Sequence, residues 1–246
     1  DFAIVFHFNE RLDVNALLTG ADSARNAFPT TGCRLQGNRW IRHRGPSRDA
    51  IATTSCDTAT TVENFLERPI DLANEFPVQQ LVLTCNTEPK TTLVTRFHHS
   101  VADGLSAALW LRHQFEVVYG LRPVESQVPD YDAPRLKSVS SAVRKSRFAY
   151  PGPSDRLSTK SMSRSGSRSW TTICIDASRI RRAIRKARGF TYNDVLATCA
   201  LETFARWNRS QGEDAQKIAL WLPINVRQRP AESFGNGTSR IRSMPR

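Results

Sequence analysis

The sequence predicts an α/β protein built as two lobes joined by a basic linker, and three observations carry that expectation. Short apolar runs with the two-residue period of strands alternate with segments of helical period. Residues 122–168 hold Pro123, Pro129, Pro134, Pro151 and Pro153 among many serines and positive charges, with little to bury. The chain has 246 residues and a hydrophobic fraction of 39%, enough for one large domain or two modest ones.

The elements follow in order. "FAIVFHFN" sets Phe2, Ile4, Phe6 and Phe8 against Ala3, Val5, His7 and Asn9, the pattern of a half-buried strand. Asp13 is a helix N-cap, with Val14, Leu17, Leu18 and Ala21 as the apolar stripe behind it. Residues 29–60 are rich in Pro, Gly, Thr and Ser, with one or two short strands between Arg34 and His43. "TTVENFLERPIDL" reads as a short helix stopped near Pro69. "QQLVLTCN" and "TTLVTRFHH" are two strand-like runs separated by Thr87–Lys90, a hairpin pattern. After His99 the period becomes helical, with Val101, Leu105, Ala108, Phe115 and Val118 in register and Gly120 as the terminator. Beyond the linker, "SWTTICID" is a strand and "DASRIRRAIRKARG" a helix with Ile180, Ala183, Ile184 and Ala187 inward. "TYNDVLATCALETFARW" is a second helix, and "KIALWLPINV" a further strand.

The division places a first lobe at 1–122, a linker or crossover at 123–167 and a partial second lobe at 168–246. The net charge of +12 is concentrated between Arg135 and Arg188, where fifteen Lys/Arg meet only Asp155 and Asp176. Such a segment suits an anionic partner: a nucleotide phosphate, an acidic carrier protein or a membrane surface. It reads equally as a solvated linker followed by a basic helix face. No aromatic-interleaved motif accompanies it, so no nucleic acid is expected. No run approaches the ~18 apolar residues of a membrane span, which leaves only peripheral membrane contact. Five scattered cysteines, odd in number and without a CxxC pair, point to reduced thiols and a cytoplasmic setting.

The densest chemistry lies in "TTLVTRFHHSVADGLSAALWL", residues 91–111, where two of the chain's five histidines end an apolar run. If the strand runs to His99, alternation puts Leu93, Thr95, Phe97 and His99 on one face and Val94, Arg96 and His98 on the other. Only one histidine then faces a reaction centre, and the other is structural. Imidazole titrates near neutrality and suits general base work. Asp103 falls where a carboxylate caps a helix start, and Gly104 permits close backbone approach. A metal site would need further ligands at suitable spacing, and none lies nearby. Ser100 and Ser106 lack the GxSxG elbow of a serine hydrolase. No Walker or dinucleotide glycine loop is present.

"HHSVADG", His98 to Gly104, resembles the HHxxxDG motif of the chloramphenicol acetyltransferase-like superfamily. That group includes nonribosomal peptide condensation domains, polyketide-associated acyltransferases, and wax ester synthase/diacylglycerol acyltransferases. "FLERPIDLANEFPVQQLVL", "GFTYNDVLATCALETFARW" and "LPINVRQRPAESFGNGTS" are similar to further family segments and occur in family order over nearly the whole chain. The wax synthase "PLW" is replaced by "FPVQQ", a departure from that branch.

The resemblance implies two acetyltransferase-like sandwich lobes, the second incomplete in this chain, with a tunnel between them in the complete fold. It implies acyl transfer from a thioester on coenzyme A or the phosphopantetheine of a carrier protein to a hydroxyl or amine acceptor. His99 corresponds to the general base, and His98 to the structural histidine. Asp103 corresponds to an aspartate paired with an arginine, here Arg227 by its place in "PINVRQR", and Gly104 to room for the thioester arm. The Asn193-Asp194 pair matches a wax synthase motif and also suits a helix start. No bound cofactor or metal is implied. Ester formation from acyl-coenzyme A is the leading expectation. A peptide-forming condensation domain fragment and a non-catalytic binding module of the same fold are the alternatives. The family's usual length exceeds this chain's, which predicts weak activity and aggregation for the 246 residues made alone.

Overall fold

The computed structural model describes residues 1–43, 51–54, 59–84, 89–123, 176–186, 189–213, 218, 220–225, 234–235 and 238–243. The linker, most of the "SWTTICID" run and Arg227 lie outside these residues. The chain divides into two units. The first comprises residues 1–139 and 225–238, and the second residues 140–224 and 239–246. The first unit is therefore discontinuous, whereas the sequence boundaries assign all of 168–246 to the second lobe.

In the first unit a four-stranded sheet runs β1 (Phe2–Phe8), β6 (Thr91–Phe97), β5 (Val78–Thr84), β4 (Ile51–Thr54). The β1–β6 and β6–β5 pairs are antiparallel, and β5–β4 is parallel. A separate antiparallel pair, β2 (Cys33–Gln36) and β3 (Arg39–Arg42), turns at Gly37, whose φ of 61° favours glycine.

Helices α1 (Val14–Ala27) and α3 (Gly104–Val118) share one face of the sheet, where Phe97, Ala21, Ala24, Trp110 and Leu111 form a buried cluster. Helix α2 (Ala59–Glu67) sets Val62, Phe65 and Leu66 against Leu81, Leu83 and Val94 on the opposite face. Alternation along β5 and β6 decides which residues meet which layer. β1 keeps its period as predicted, with Phe2, Ile4, Phe6 and Phe8 partly buried and Val5 exposed.

Asp13 caps α1 by accepting the Asn15 N–H at 2.8 Å. α1 and α3 approach closely at Gly20, where an added Cβ would stand 2.7 Å from the Gln114 carbonyl oxygen. Beside it runs a buried amide network. Gln80 Nε2 donates to Thr95 Oγ1 at 2.9 Å and to Gln114 Oε1 at 2.8 Å, while Gln114 Nε2 donates to the Leu17 carbonyl at 3.1 Å. The buried side of α3 is Ser106, Ala107, Trp110, Leu111 and Gln114. This shifts the expected stripe, because Val101 belongs to the preceding turn and Ala108 is exposed.

The second unit contains α4 (Ala177–Lys186), α5 (Tyr192–Ser210) and all but one terminal residue of each strand of the β7–β8 pair (Leu220–Asn225, Thr238–Ser243). Ile180 and Ile184 are partly buried on α4, while Arg179, Arg181, Arg182, Arg185 and Lys186 are exposed. The α5 start is a capping box. Thr191 Oγ1 accepts the Asp194 N–H at 3.3 Å, and Asp194 Oδ2 accepts the Thr191 N–H at 2.7 Å. Strand β8 was not anticipated from "TSRIRS". Among the described residues no helix is long and apolar enough to cross a membrane.

Candidate active site

β6 ends at Phe97, paired across to Phe2 on one side and Val78 on the other. The strand thus stops short of both histidines, so alternation along it does not set which way His99 faces. One further bond, His98 N–H to the Pro77 carbonyl at 2.8 Å, holds His98 on the last rung. The chain then turns, with Val101 N–H donating to the His98 carbonyl at 3.1 Å. His99 sits in that turn. The turn, rather than strand alternation, gives the two histidines different surroundings.

His98 is engaged on both sides of its ring. The Ser100 N–H donates to Nδ1 at 3.2 Å, and Ser100 Oγ lies 2.7 Å from the same nitrogen. Because Nδ1 accepts, the neutral ring carries its proton on Nε2, which faces Asp1 Oδ1 at 3.7 Å. Asp1 Oδ2 in turn accepts the Ile70 N–H at 3.3 Å. Burial pushes the His98 imidazole below its ordinary pKa.

His99 is exposed. Its ring lies over Phe2, with centroids 4.9 Å apart and planes at 52°. An accessible imidazole held at the end of a buried strand can exchange a proton with a bound molecule.

Asp103 is fully buried and caps α3, accepting the Ser106 N–H at 3.0 Å. The capping role expected for it is present. Gly104, the first residue of α3, is exposed, and an added Cβ would meet nothing within 4 Å. Among the described residues, the local fold gives no steric reason for glycine there. Ser106 makes a reciprocal pair with the returning segment. Its Oγ donates to the Gly235 carbonyl at 2.8 Å and lies 2.9 Å from the Gly235 N–H that donates back. Phe234 stacks on Phe28 at 4.5 Å. Phe234 and Gly235 are thereby fastened to the first unit, Gly235 at the first turn of the motif helix.

Sequence reasoning missed Arg96, two residues before His98. It is 1% exposed and donates to the Phe65 and Arg68 carbonyls and to Gln79 Oε1. It satisfies carbonyls at the α2 C-terminus, where a cation suits the dipole. Burial lowers its pKa to about 10. An arginine amid Val94 and Phe97 in an otherwise apolar run was the signal. Asp1, Phe2 and Ser100 were also missed, because their partners are not apparent until the strands are paired.

No family model matches the chain, and no curated protein sequence matches it. Solved structures do. The first condensation domain of the CDA synthetase is 17% identical with a TM-score of 0.63, covering 98% of this chain and 62% of its own. The starter condensation domain of rhizomide synthetase in complex with C8-CoA is 14% identical with a TM-score of 0.65, covering 98% and 60%. The X-domain in its complex with OxyB from teicoplanin biosynthesis is 13% identical with a TM-score of 0.58, covering 99% and 59%. The chain spans about three fifths of the length of these solved chains. Its fold is the chloramphenicol acetyltransferase-like fold of condensation domains.

Proposed function

We propose that the chain carries the histidine-bearing part of an acyltransferase, with His99 as the general base. The observation behind this reading is the unequal state of the two histidines: His98 is tied to Asp1 and Ser100, and His99 presents an exposed ring. In the reaction, the acceptor's O–H or N–H gives its proton to His99 as the oxygen or nitrogen attacks the thioester carbonyl. Collapse of the tetrahedral adduct breaks the C–S bond, and the imidazolium returns that proton to the thiolate. A positioned base supplies roughly 10²–10⁴-fold, and alignment of two substrates supplies more.

Gly104 leaves space for the thioester arm, and Asp103 pairs with Arg227 to hold the motif helix. The donor is acyl-coenzyme A or an acyl-phosphopantetheine carried on an acidic protein, attracted by the basic segment. The neighbour solved with C8-CoA supports a thioester ligand for this fold. Ester formation from coenzyme A, in the cytoplasm, is our leading assignment. Release of free thiol from acyl-coenzyme A in the presence of alcohols or amines, compared between parent and His99→Ala, tests it. Unchanged turnover in the variant removes His99 as the base.

A second reading, a binding module without chemistry, is favoured by the neighbour whose structure is a complex with OxyB. A chain that consumes no thioester yet retains a protein partner would support it.

A further inference from the structure

We propose that Phe2 is a positioning residue for His99, holding its imidazole in one orientation through a succession of rings rooted in the core. This inference rests on the reading of His99 as the base. The β1–β6 register sets Phe2 directly opposite Phe97, and their rings stack with centroids 5.5 Å apart and planes at 17°. Phe97 is fully buried and meets Trp110 edge-on at 5.8 Å and 84°. Trp110 is itself buried, and its Nε1–H donates to Thr31 Oγ1 at 3.2 Å. Trp110, Phe97 and Phe2 therefore form a rigid support, and His99 rests on its outer end at 4.9 Å.

The tilted geometry and separation are those aromatic rings prefer. A ring packed against a fixed aromatic face has fewer rotamers open to it, and a base must keep within hydrogen-bond reach of its proton. Asp1, just before the first strand, and Phe2, its first residue, thus meet consecutive histidines. Asp1 faces His98, and Phe2 carries His99. The first faces its histidine's Nε2 with a carboxylate oxygen, and the second meets its neighbour through a ring face without competing for its nitrogens.

The test uses the full chain with labelled histidine. The His99 ring C–H resonances, assigned by their loss in His99→Ala, should be displaced by the Phe2 ring current. They should move toward ordinary histidine positions in Phe2→Leu, which keeps apolar bulk, and stay displaced in Phe2→Tyr. Where thioester turnover is measured, Phe2→Leu should lower kcat about ten-fold with KM within about two-fold, and Phe2→Tyr should retain it. His99 resonances unchanged by Phe2→Leu overturn the proposal whatever the activity. Displaced resonances lost with kcat intact overturn it as well. A longer chain that completes the fold yet shows no turnover defeats the base assignment instead, and the resonances then still decide whether Phe2 holds His99.

Discussion

Substituting Asp103 by asparagine separates two roles that the structure superimposes. The carboxylate is 0% exposed and accepts the Ser106 N–H at 3.0 Å. Asparagine caps a helix about as well as aspartate, so the cap itself should survive; losing a cap altogether costs about 1 kcal/mol. A wholly buried carboxylate, however, carries a desolvation penalty of several kcal/mol that its surroundings must offset, and we propose Arg227 as a cation that contributes to that balance. Removing one member of such a pair costs about 3–5 kcal/mol. Asp103→Asn should therefore lose about 3 kcal/mol or more of unfolding free energy in urea titrations, followed by tryptophan fluorescence. Asp103→Ala should lose about 1 kcal/mol beyond that. In a double-mutant cycle, Asp103→Asn and Arg227→Met should be strongly coupled. If Asp103→Asn stays within about 0.5 kcal/mol of the parent while Asp103→Ala loses about 1 kcal/mol, Asp103 is a cap alone and the pairing argument fails.

Other outcomes follow from neighbouring contacts. In a longer chain that completes the fold, His99→Ala should reduce thioester turnover about 10²-fold or more with little change in stability, whereas His98→Ala should act mainly on stability and turn geometry; free-thiol release and thermal melts together check both. Gly20→Ala gains about 1 kcal/mol of helix propensity but thrusts a methyl against the Gln114 carbonyl, an overpacking cost of about 1–3 kcal/mol, so urea midpoints should fall. Arg96→Met should destabilise by about 3 kcal/mol or more, because it strands buried carbonyls and the Gln79 side chain. Burial depresses the pKa of His98 and of His113, whose Nε2 lies 2.9 Å from Ser23 Oγ and whose ring meets the Phe28 edge. The unfolded chain therefore binds more protons as pH falls through the ordinary histidine value of 6.5. Stability should be full above that value, decline below it, and level off once the folded-state pKa values are passed; His113→Gln should flatten part of that decline in melts taken against pH.

What could be read beforehand was whatever a local rule decides. The β1 alternation, the Asp13 and Asp103 caps and the Thr191–Asp194 box all depend on residues within a few positions of each other, and all stand in the structure. Non-local pairing was not legible. β4 lies in a stretch without clear alternation, and its parallel place beside β5 is a tertiary choice. β8 is too polar and short to announce itself. Within the site, the motif identified His98, His99, Asp103 and Gly104, but not what holds them. Asp1 and Phe2 lie nearly a hundred residues away in sequence, and only the β1–β6 register brings them to the histidines. Arg96 was hidden for another reason: burial of a cation is justified by α2 carbonyls that its own strand does not predict.

The reciprocal bond between Ser106 and Gly235 joins positions 129 residues apart, and the second unit is threaded between them. On a ribosome elongating at about 5–20 residues per second, the helix start would wait roughly 6–26 s for its partner to be made. During that interval Ser106 and the face of Phe28 that receives Phe234 stand open to water, and the first unit can collapse but cannot close. Its last step is therefore of high contact order and conditional on the intervening unit having left the chain untangled. A synonymous codon change that slows translation just before Phe234 would prolong this half-finished state without altering a single residue of the product.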